Sequence, residues 1–392
     1  MNEKEKMQPK VRFREFTGEN APDWEERKFK DILKTHSFRS YLAGVSEDGE
    51  YEVIQQGDKP IVGYSDGEPF TDYKDITLFG DHTVSLYKPK SPFFVATDGV
   101  KILSADNFEG DYLYTTLERY KPEPQGYKRH FTILKNQDVW FTENMEEQQK
   151  IGVFFKQLDD TITLHQRKLE QLEQLKNTLL SKMFPKSGTN IPEIRFSGFT
   201  DAWEQRKLGE VSNHRGGTAI EKYFDDNGKY KVISIGSYGL DSRYVDQGIR
   251  AHSNEITDKR IVYAGELTMI LNDKTANGTI IGRTLLIEND NEYVVNQRTE
   301  IISPKEGFNS RFAYTLLNGP FRHKIKQVVQ GGTQIYVNYS SVEKLTLYLP
   351  IIEEQKKVGV FFEKLDKLIT LHQRKLEQLK NLKQTLLNKM FI

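Results

Sequence analysis

Residues 146–184 read EEQQKIGVFFKQLDDTITLHQRKLEQLEQLKNTLLSKMF, and residues 353–391 read EEQKKVGVFFEKLDKLITLHQRKLEQLKNLKQTLLNKMF. The two stretches align without a gap at a constant offset of 207, with 10 mismatches and 29 identities over 39 positions. Each copy closes a half of the chain whose remaining sequence is largely unlike that of the other half. The sequence therefore indicates one scaffold used twice to carry two different variable regions.

In each copy the apolar positions step alternately by four and three residues, a spacing that places one stripe on a helix and favours a partner helix. The predicted stripes are Leu158, Ile162, His165, Leu169, Leu172, Lys176, Leu179 and Met183, and Leu365, Ile369, His372, Leu376, Leu379, Lys383, Leu386 and Met390. No Gly or Pro interrupts residues 153–182, which predicts a rod of roughly 40–45 Å. We expect the two helices to pair with each other, and an antiparallel pair would place the variable regions at opposite ends.

Polar residues also lie on the stripes. His165 and His372 have no second ligand at metal spacing, so a register-setting role in the coil is preferred to metal binding. Lys176 and Lys383 are expected to pack their stems along the stripe and leave their ammonium groups free.

A weaker repeat opens each half, where residues 11–29 (VRFREFTGENAPDWEERKF) resemble residues 194–208 (IRFSGFTDAWEQRKL). We interpret the shared aromatic residues as packing at the base of a domain. The predicted organisation is a variable domain over residues 1–145, a helical region over 146–184, a linker over 185–193, a variable domain over 194–350 and a helical region over 351–392.

The variable regions are expected to be mixed α/β, because runs rich in Val, Ile, Tyr and Thr are separated by Gly, Asp and Asn. Single helices are predicted near residues 111–119 and 310–330. The fold class is therefore α/β (α+β): two mixed domains, each followed by a long helix, with a pseudo-two-fold internal repeat.

The composition argues against several classes of protein. The chain has 392 residues, no cysteine and a net charge of zero, and it carries neither an apolar run long enough for a bilayer nor a secretory signal. We expect a cytoplasmic protein without disulfides or thiolate metal sites. Residues 312–338 and 119–135 are locally basic, which is compatible with DNA binding and equally with a solvated surface.

Catalytic motifs are missing from the sequence. It contains no phosphate-binding loop of the G-x-x-x-x-G-K-[ST] type, no Asn- or Asp-Pro-Pro-aromatic tetrapeptide for methylating an exocyclic amine, and no metal-ligand spacing. Residues 22–28 are too short to form the nuclease pattern that Pro22, Asp23, Glu26 and Lys28 faintly suggest. The sequence indicates a binding protein that holds no cofactor or metal, not an enzyme.

The duplicated helices and the W-E-x-R-K opening motifs resemble the DNA specificity subunit of type I restriction-modification enzymes. The resemblance spans essentially the whole chain, and further fragments carry it: Val53–Asp58, Phe79–Thr83, Tyr127–Phe131, Gln330–Gln334 and Leu347–Pro350. It implies two target recognition domains joined by an antiparallel coiled coil, reading an asymmetric bipartite DNA target with a nonspecific spacer. A rod of roughly 40 Å would cover about 12 base pairs of duplex.

The resemblance also implies partners. Two methyltransferase subunits would use S-adenosylmethionine to methylate adenine at N6, and ATP- and Mg-dependent motor-nuclease subunits would join them in a host-defence complex. The chemistry would then belong to those partners.

The residues expected to contact DNA are basic and amide side chains, because Arg and Lys can read guanine and Gln can read adenine in the major groove. They are Lys101, Lys128, Arg129 and His130 in the first half, and Lys274, Arg322, Lys324, Gln330, Gln334 and Tyr336 in the second. Two other functions stay open: a coiled-coil adaptor with two protein-binding end domains, and a self-sufficient nuclease or methyltransferase.

Overall fold

The computed structural model of the chain describes residues 7–126, 128–274 and 276–392. Tyr127, in one of the fragments quoted above, and the first six residues lie outside the described residues. The chain divides into unit 1, Met1–Arg167 with Gln373–Ile392, and unit 2, Lys168–His372.

The strands and α-helices of the first half are β1 (Trp24–Lys28), α1 (Phe29–Ile32), β2 (Leu33–His36), β3 (Tyr51–Ile54), β4 (Ile61–Ser65), β5 (Thr77–Gly80), β6 (Leu86–Tyr87), β7 (Phe93–Val95), β8 (Val100–Ala105), α2 (Gly110–Tyr120), α3 (His130–Asn136), β9 (Asp138–Thr142) and α4 (Met145–Lys182).

Those of the second half are β10 (Glu204–Lys207), α5 (Leu208–Val211), β11 (Ser212–Gly216), β12 (Tyr230–Ile233), β13 (Arg250–Ala251), α6 (Glu255–Asp258), β14 (Ile261–Val262), β15 (Leu267–Ile270), β16 (Asn272–Asp273), β17 (Thr284–Leu286), β18 (Tyr293–Val295), β19 (Thr299–Pro304), α7 (Ser310–Asn318), α8 (Pro320–Gln327), β20 (Gln330–Gly331), β21 (Ile335–Tyr336), α9 (Tyr339–Val342), β22 (Thr346–Leu349) and α10 (Ile352–Met390).

The mixed α/β class is confirmed, and the two variable regions share one topology although their sequences differ. In unit 1 an antiparallel sheet has the order β2-β8-β5-β6, and in unit 2 the corresponding order is β11-β19-β15-β17. Strand β3 runs parallel to β7 and antiparallel to β4, just as β12 runs parallel to β18 and antiparallel to β13. The internal repeat therefore extends through the domains as well as the helices.

The opening motifs form the strand that closes each domain. Strand β1 pairs antiparallel with β9, and β10 pairs in the same way with β22, immediately before the long helix. Trp24 and Trp203 at these strands are 5% and 2% exposed. The interpretation of the motif aromatics as packing residues is confirmed.

Both units contain an antiparallel helix pair, made from the start of one long helix and the end of the other. In unit 1 Lys383 lies 2.6 Å from Asp159, and the ring of Phe391 lies 6.4 Å from that of Phe155. Since the residue numbers of the contacting positions rise along α4 as they fall along α10, the two helical segments are antiparallel.

Unit 2 contains the equivalent contacts, in which each residue is replaced by the one 207 positions away in the other copy of the repeat. Lys176 lies 2.6 Å from Asp366, and the rings of Phe184 and Phe362 are 6.1 Å apart. All residues of the predicted stripes are buried or half-buried. The expectation of free ammonium groups on Lys176 and Lys383 is wrong, because both form ion pairs with carboxylates, and Lys383 also lies 2.5 Å from Glu118.

The last residues of the long helices complete the domain cores. Phe391, 2% exposed, packs among Trp24, Tyr112 and Tyr120 in unit 1. Phe184 packs against Trp203 and Phe312 in unit 2. In each unit, therefore, the closing phenylalanine comes from the helix that begins in the other.

One element boundary differs from the prediction. The single helix expected over residues 310–330 is two helices, α7 and α8, which meet at Gly319 and Pro320. Pro320 lacks the N–H that would continue α7, and its fixed φ suits the first turn of a new helix.

Candidate nucleic-acid interface

A small three-stranded sheet in unit 2 gathers several of the predicted DNA-contacting residues. Strand β21 pairs with β16 on one side and β20 on the other, so that Tyr336 lies opposite both Asn272 and Gln330. We call residues 330–336 the Gln330 hairpin. Its side chains Gln330, Gln334 and Tyr336 are exposed, as is Lys274 just after β16. The sheet thus presents two amides, a phenol and an ammonium group on one short ribbon.

The turn of the Gln330 hairpin depends on a glycine. Gly331 has φ +100°, and a Cβ at this position would lie 2.2 Å from the carbonyl oxygen of Gln334. Only glycine fits such an approach between the two strands without displacement of the backbone. Gly331 is therefore required for the backbone conformation of the hairpin that bears the exposed amide side chains.

Arg322 holds the loop beneath this ribbon. Its Nε donates to the carbonyl oxygen of Ile281 at 2.9 Å, and its Nη2 donates to that of Thr279 at 2.7 Å. Burial lowers the pKa of Arg322 to about 10. A predicted contact residue is thus half-buried and positions residues 278–282.

A buried carboxylate holds the same loop from the side of β16. Asp273, 3% exposed, accepts through Oδ2 a hydrogen bond of 2.7 Å from the backbone N–H of Ile280. The loop is therefore fixed between α8 and the ribbon.

Lys324 is directed to another part of unit 2. Its Nζ donates to the carbonyl oxygen of Thr346 in β22 at 2.8 Å, and it lies 5.8 Å from the ring centre of Tyr348. Burial lowers the pKa of this ammonium group. Lys324 ties α8 to the closing strand, and the structure does not bring it to the Gln330 hairpin.

In unit 1 two of the predicted residues, Lys128 and Arg129, lie on the loop before α3, whereas Lys101 lies in β8 and His130, the first residue of α3, is buried. Lys128 and Arg129 are exposed. The Nδ1 of His130 lies 3.0 Å from the carbonyl oxygen of Asp81, and its Nε2 accepts a hydrogen bond of 2.9 Å from the backbone N–H of Gln125. Since Nε2 is the acceptor, Nδ1 carries the proton. The assignment of His130 as a direct DNA contact is therefore wrong, because its imidazole is enclosed and anchors the loop.

Asp81 is the centre of this anchor and escaped the sequence analysis. It is 3% exposed, and its Oδ1 accepts a hydrogen bond of 2.8 Å from the backbone N–H of Phe131. Lys101 lies 3.6 Å from its Oδ2 and donates to the carbonyl oxygen of Asp98 at 2.7 Å. Lys101 is thus a largely covered partner of Asp81, while Lys128 and Arg129 form the outward part of the loop.

The two units thus use a buried aspartate for the same purpose. Asp81 follows β5 and accepts from the backbone N–H of Phe131 in the first turn of α3. Asp273 lies shortly after the equivalent strand β15 and accepts from the backbone N–H of Ile280 in the loop of residues 278–282. The sequence signal was a lone Asp after an apolar strand, inside the segment Phe79–Thr83 in unit 1. Such a residue is too common to be singled out without the structure.

The most catalysis-like group in unit 2 is a histidine between carboxylates. Nδ1 of His214 lies 2.6 Å from Glu300 and Nε2 lies 3.6 Å from Glu343, while the ring contacts that of Tyr339 at a tilt of 35° with the centres 4.5 Å apart. Burial raises the pKa of Glu300. This group joins β11, β19 and α9. Across residues 7–126, 128–274 and 276–392 there is no cluster of three His, Cys, Asp or Glu side chains suited to a metal ion.

Among the helices of the described residues, even α4 and α10 are too polar to cross a bilayer.

Comparisons with known proteins agree with the two-fold plan. The family model for the type I restriction modification DNA specificity domain matches residues 22–174 and 200–381. The type I restriction enzyme MjaVIII specificity subunit of Methanocaldococcus jannaschii is 23% identical, and the match covers 96% of this chain and 94% of that protein.

Solved structures show the same fold. The S subunit of a type I restriction-modification system from M. genitalium superposes with a TM-score of 0.68 at 15% identity, covering 98% of this chain and 99% of that one. A chain from a study of complex assembly and conformational transition in a type I R-M system gives a TM-score of 0.51 at 14% identity, covering 95% and 99%. The chain belongs to the type I restriction-modification DNA specificity family, whose members are specificity subunits and not the catalytic subunits of these enzymes.

Proposed function

We propose that this specificity subunit reads an asymmetric bipartite DNA target, one half-site with each unit. The observation that carries the proposal is a shared topology combined with unlike surfaces. The equivalent strands β5 and β15 are followed by Asp81 and Asp273, which anchor the segments beside the Lys128–Arg129 loop in unit 1 and the Gln330 hairpin in unit 2, and these two surfaces differ in length and side chains. Two copies of one scaffold with different reading surfaces suit a target whose halves differ.

The side chains of the Gln330 hairpin fit base reading in the major groove. A glutamine amide can donate to and accept from adenine at the same time, and a two-stranded ribbon fits within the groove. Gln330 and Gln334 are exposed on such a ribbon, with Lys274 beside them. In unit 1 the exposed Lys128 and Arg129 suit guanine or phosphate oxygens.

The long helices would set the spacer between the half-sites. Helices α4 and α10 contain 38 and 39 residues and continue from one unit into the other without interruption. The helices are thus the part of the chain that connects the two reading surfaces. Insertion or deletion of residues in both helices would then change the spacer and leave the half-sites as they are.

The outer faces of these helices provide a docking surface for methyltransferase subunits. Leu164 and Leu371 are 67% and 60% exposed, and Leu175 and Leu382 are each 47% exposed. The members of each pair are related by the repeat offset of 207, so that the same apolar side chains appear once in each copy. An identical surface present twice suits two copies of one partner.

Charged residues border these leucines on the outer faces of the helices. The exposed charged residues beside them are Arg167, Lys168, Arg374 and Lys375.

The bound subunits would supply the chemistry. Two methyltransferase partners would use S-adenosylmethionine for adenine N6 methylation, and motor-nuclease partners would use ATP and Mg. The chain itself would contribute recognition and placement, in the cytoplasm where these partners and the DNA are found.

A charge placed on the docking surface tests this assignment. We expect Leu164→Asp with Leu371→Asp to abolish co-purification of the methyltransferase, because a carboxylate would be buried without a partner in an apolar interface. Binding of the purified chain to duplex DNA should be unchanged. Gln174→Asp, an exposed change on a flanking face of α4, is the matched control and should retain the partner.

The outcomes separate the functions that the sequence left open. Undiminished capture of the methyltransferase by the double variant would contradict the docking surface. A wild-type chain that captures proteins but has no salt-dependent affinity for duplex DNA would favour a coiled-coil adaptor.

A further inference from the structure

Three cations surround residues 278–282 in unit 2. Arg283 donates through Nε to the carbonyl oxygen of Thr279 at 3.0 Å, and Arg322 donates to the same oxygen through Nη2 at 2.7 Å. Two guanidinium groups that share one acceptor must lie side by side. Like charges in this arrangement repel each other, so the loop holds them together at an electrostatic cost.

Lys326 is the third member, and its exposed side chain lies beside Gly278 at the start of this loop. A Cβ on Gly278 would be 3.9 Å from Cε of Lys326 and 3.0 Å from Cδ1 of Ile335 in β21. Gly278 has φ +61° and is buried. Gly278 therefore has Lys326 as one neighbour and Ile335, in the Gln330 hairpin, as another.

The cluster is short of negative charge. Two acids lie near the three cations. Asp273 favours the charged forms of Arg322 and Lys326, but its Oδ2 already accepts from backbone N–H groups of the loop. Asp241 favours the charged form of Arg283 and also lies 3.7 Å from Arg243. The pKa values of Arg283, Arg322 and Lys326 are all lowered, first by burial, and the neighbouring cations lower those of Arg322 and Lys326 further. An added anion would relieve this repulsion.

Donor groups remain available for such an anion. The printed bonds of Arg322 use Nε and Nη2, and those of Arg283 use Nε and Nη1 with the hydroxyl of Ser242. Nη1 of Arg322, Nη2 of Arg283 and Nζ of Lys326 have no hydrogen-bond acceptor among the residues that the structure describes. Each guanidinium is thus oriented by backbone carbonyls and keeps a free N–H₂ group.

We infer that Arg283, Arg322 and Lys326 form a clamp for one backbone phosphate of duplex DNA, which fixes the register of the Gln330 hairpin on its half-site. This inference rests on the proposed function and adds a site to it, since Arg283 and Lys326 do not belong to the residues assigned to base reading. A phosphate matches the cluster because its oxygens accept several charge-assisted hydrogen bonds at once. A clamp of this kind positions the protein and carries no sequence information.

The salt dependence of DNA binding tests the clamp. The full chain is titrated with a fluorescein-labelled duplex of mixed sequence over a series of KCl concentrations. We expect Lys326→Gln to reduce the slope of log affinity against log salt by about 1, the value for one lost phosphate contact. The wild-type affinity would then fall about fourfold more than that of the variant over a fourfold rise in salt.

Two further variants make the result decisive. Lys259→Gln removes the same charge from an exposed lysine after α6 and should leave the slope unchanged; an equal effect of both lysines would overturn the clamp. Arg283→Gln should lower the slope as Lys326→Gln does. If the wild type binds duplex with a steep slope and Lys326→Gln keeps that slope, the clamp is wrong and the proposed function stands. A wild type that fails to bind duplex at low salt contradicts the proposed function itself.

Discussion

Phe391→Ala is expected to destabilise unit 1 by about 3–5 kcal/mol, the usual cost of truncating a phenylalanine in a core. The ring is 2% exposed, stacks on Tyr112 at 5.9 Å and meets Trp24 edge to face at 5.6 Å. Its removal leaves a cavity between the opening strand β1 and helix α2. Because Phe391 directly follows the last turn of α10, the variant should also loosen the helix pair in unit 1.

Hydrogen exchange resolved along the chain, together with the denaturant midpoint, measures this effect. Protection should fall in α2, β1 and β9 and remain in α7, β10 and β22 of unit 2. Phe184→Ala, the equivalent change in unit 2, should give the opposite pattern. Leu382→Ala, an exposed residue on the same helix as Phe391, should change neither unit. Equal loss of protection in both units after Phe391→Ala would show that the closing phenylalanine does not act on one core.

Arg195→Met is expected to cost unit 2 about 3–5 kcal/mol, because it leaves a buried carboxylate without its partner. Arg195 contacts Glu354 through two hydrogen bonds, Nε to Oε1 at 2.6 Å and Nη2 to Oε2 at 2.7 Å. The two side chains are 12% and 1% exposed. Arg12 and Glu147 form the same bidentate pair in unit 1.

A double variant shows whether the loss of stability comes from the buried, unpaired carboxylate of Glu354. Replacing both partners, Arg195→Met with Glu354→Met, should recover most of the lost stability, since an apolar pair is not penalised as an orphaned charge is. Arg206→Met removes an arginine from the exposed pair with Glu210 and should cost at most about 1 kcal/mol. Urea unfolding of all variants provides the comparison. A double variant as unstable as Arg195→Met alone would mean that the charge pair is not the source of the effect.

The helical scaffold was predictable from sequence because its signal is local. The four-and-three spacing of the stripes and the lack of Gly or Pro determine a long amphipathic helix before any tertiary contact is considered. The opening motifs could be recognised because Trp24 and Trp203 occur in the same short motif at the start of two halves that are otherwise different in sequence. The break at Pro320 was also visible in the sequence and should have divided the helix predicted over residues 310–330.

Features that depend on distant pairing could not be predicted. The common topology of the variable regions comes from strand pairs such as β3 with β7, which the two sequences form with different side chains. His130 and Arg322 were chosen for their charge, but their roles depend on Asp81 and on the carbonyl groups of residues 278–281, which are more than 40 positions away. The ion pairs of Lys176 and Lys383 were unpredictable for the same reason, because their carboxylate partners lie on other helices: Asp366 on α10 for Lys176, and Asp159 on α4 and Glu118 on α2 for Lys383.

The most direct test of the central claim is the N6-methyladenine map of the source cells, read by single-molecule sequencing with the gene intact, deleted and carrying Gln330→Ala with Gln334→Ala. We expect deletion to remove one bipartite motif. The hairpin variant should relax or change only one half of that motif, because each lost bidentate contact weakens discrimination by about 1–3 kcal/mol. A map that is unchanged on deletion, in cells where the chain co-purifies with a methyltransferase, would contradict the assignment. Simultaneous change of both half-sites in the hairpin variant would contradict the division of the target between the two units.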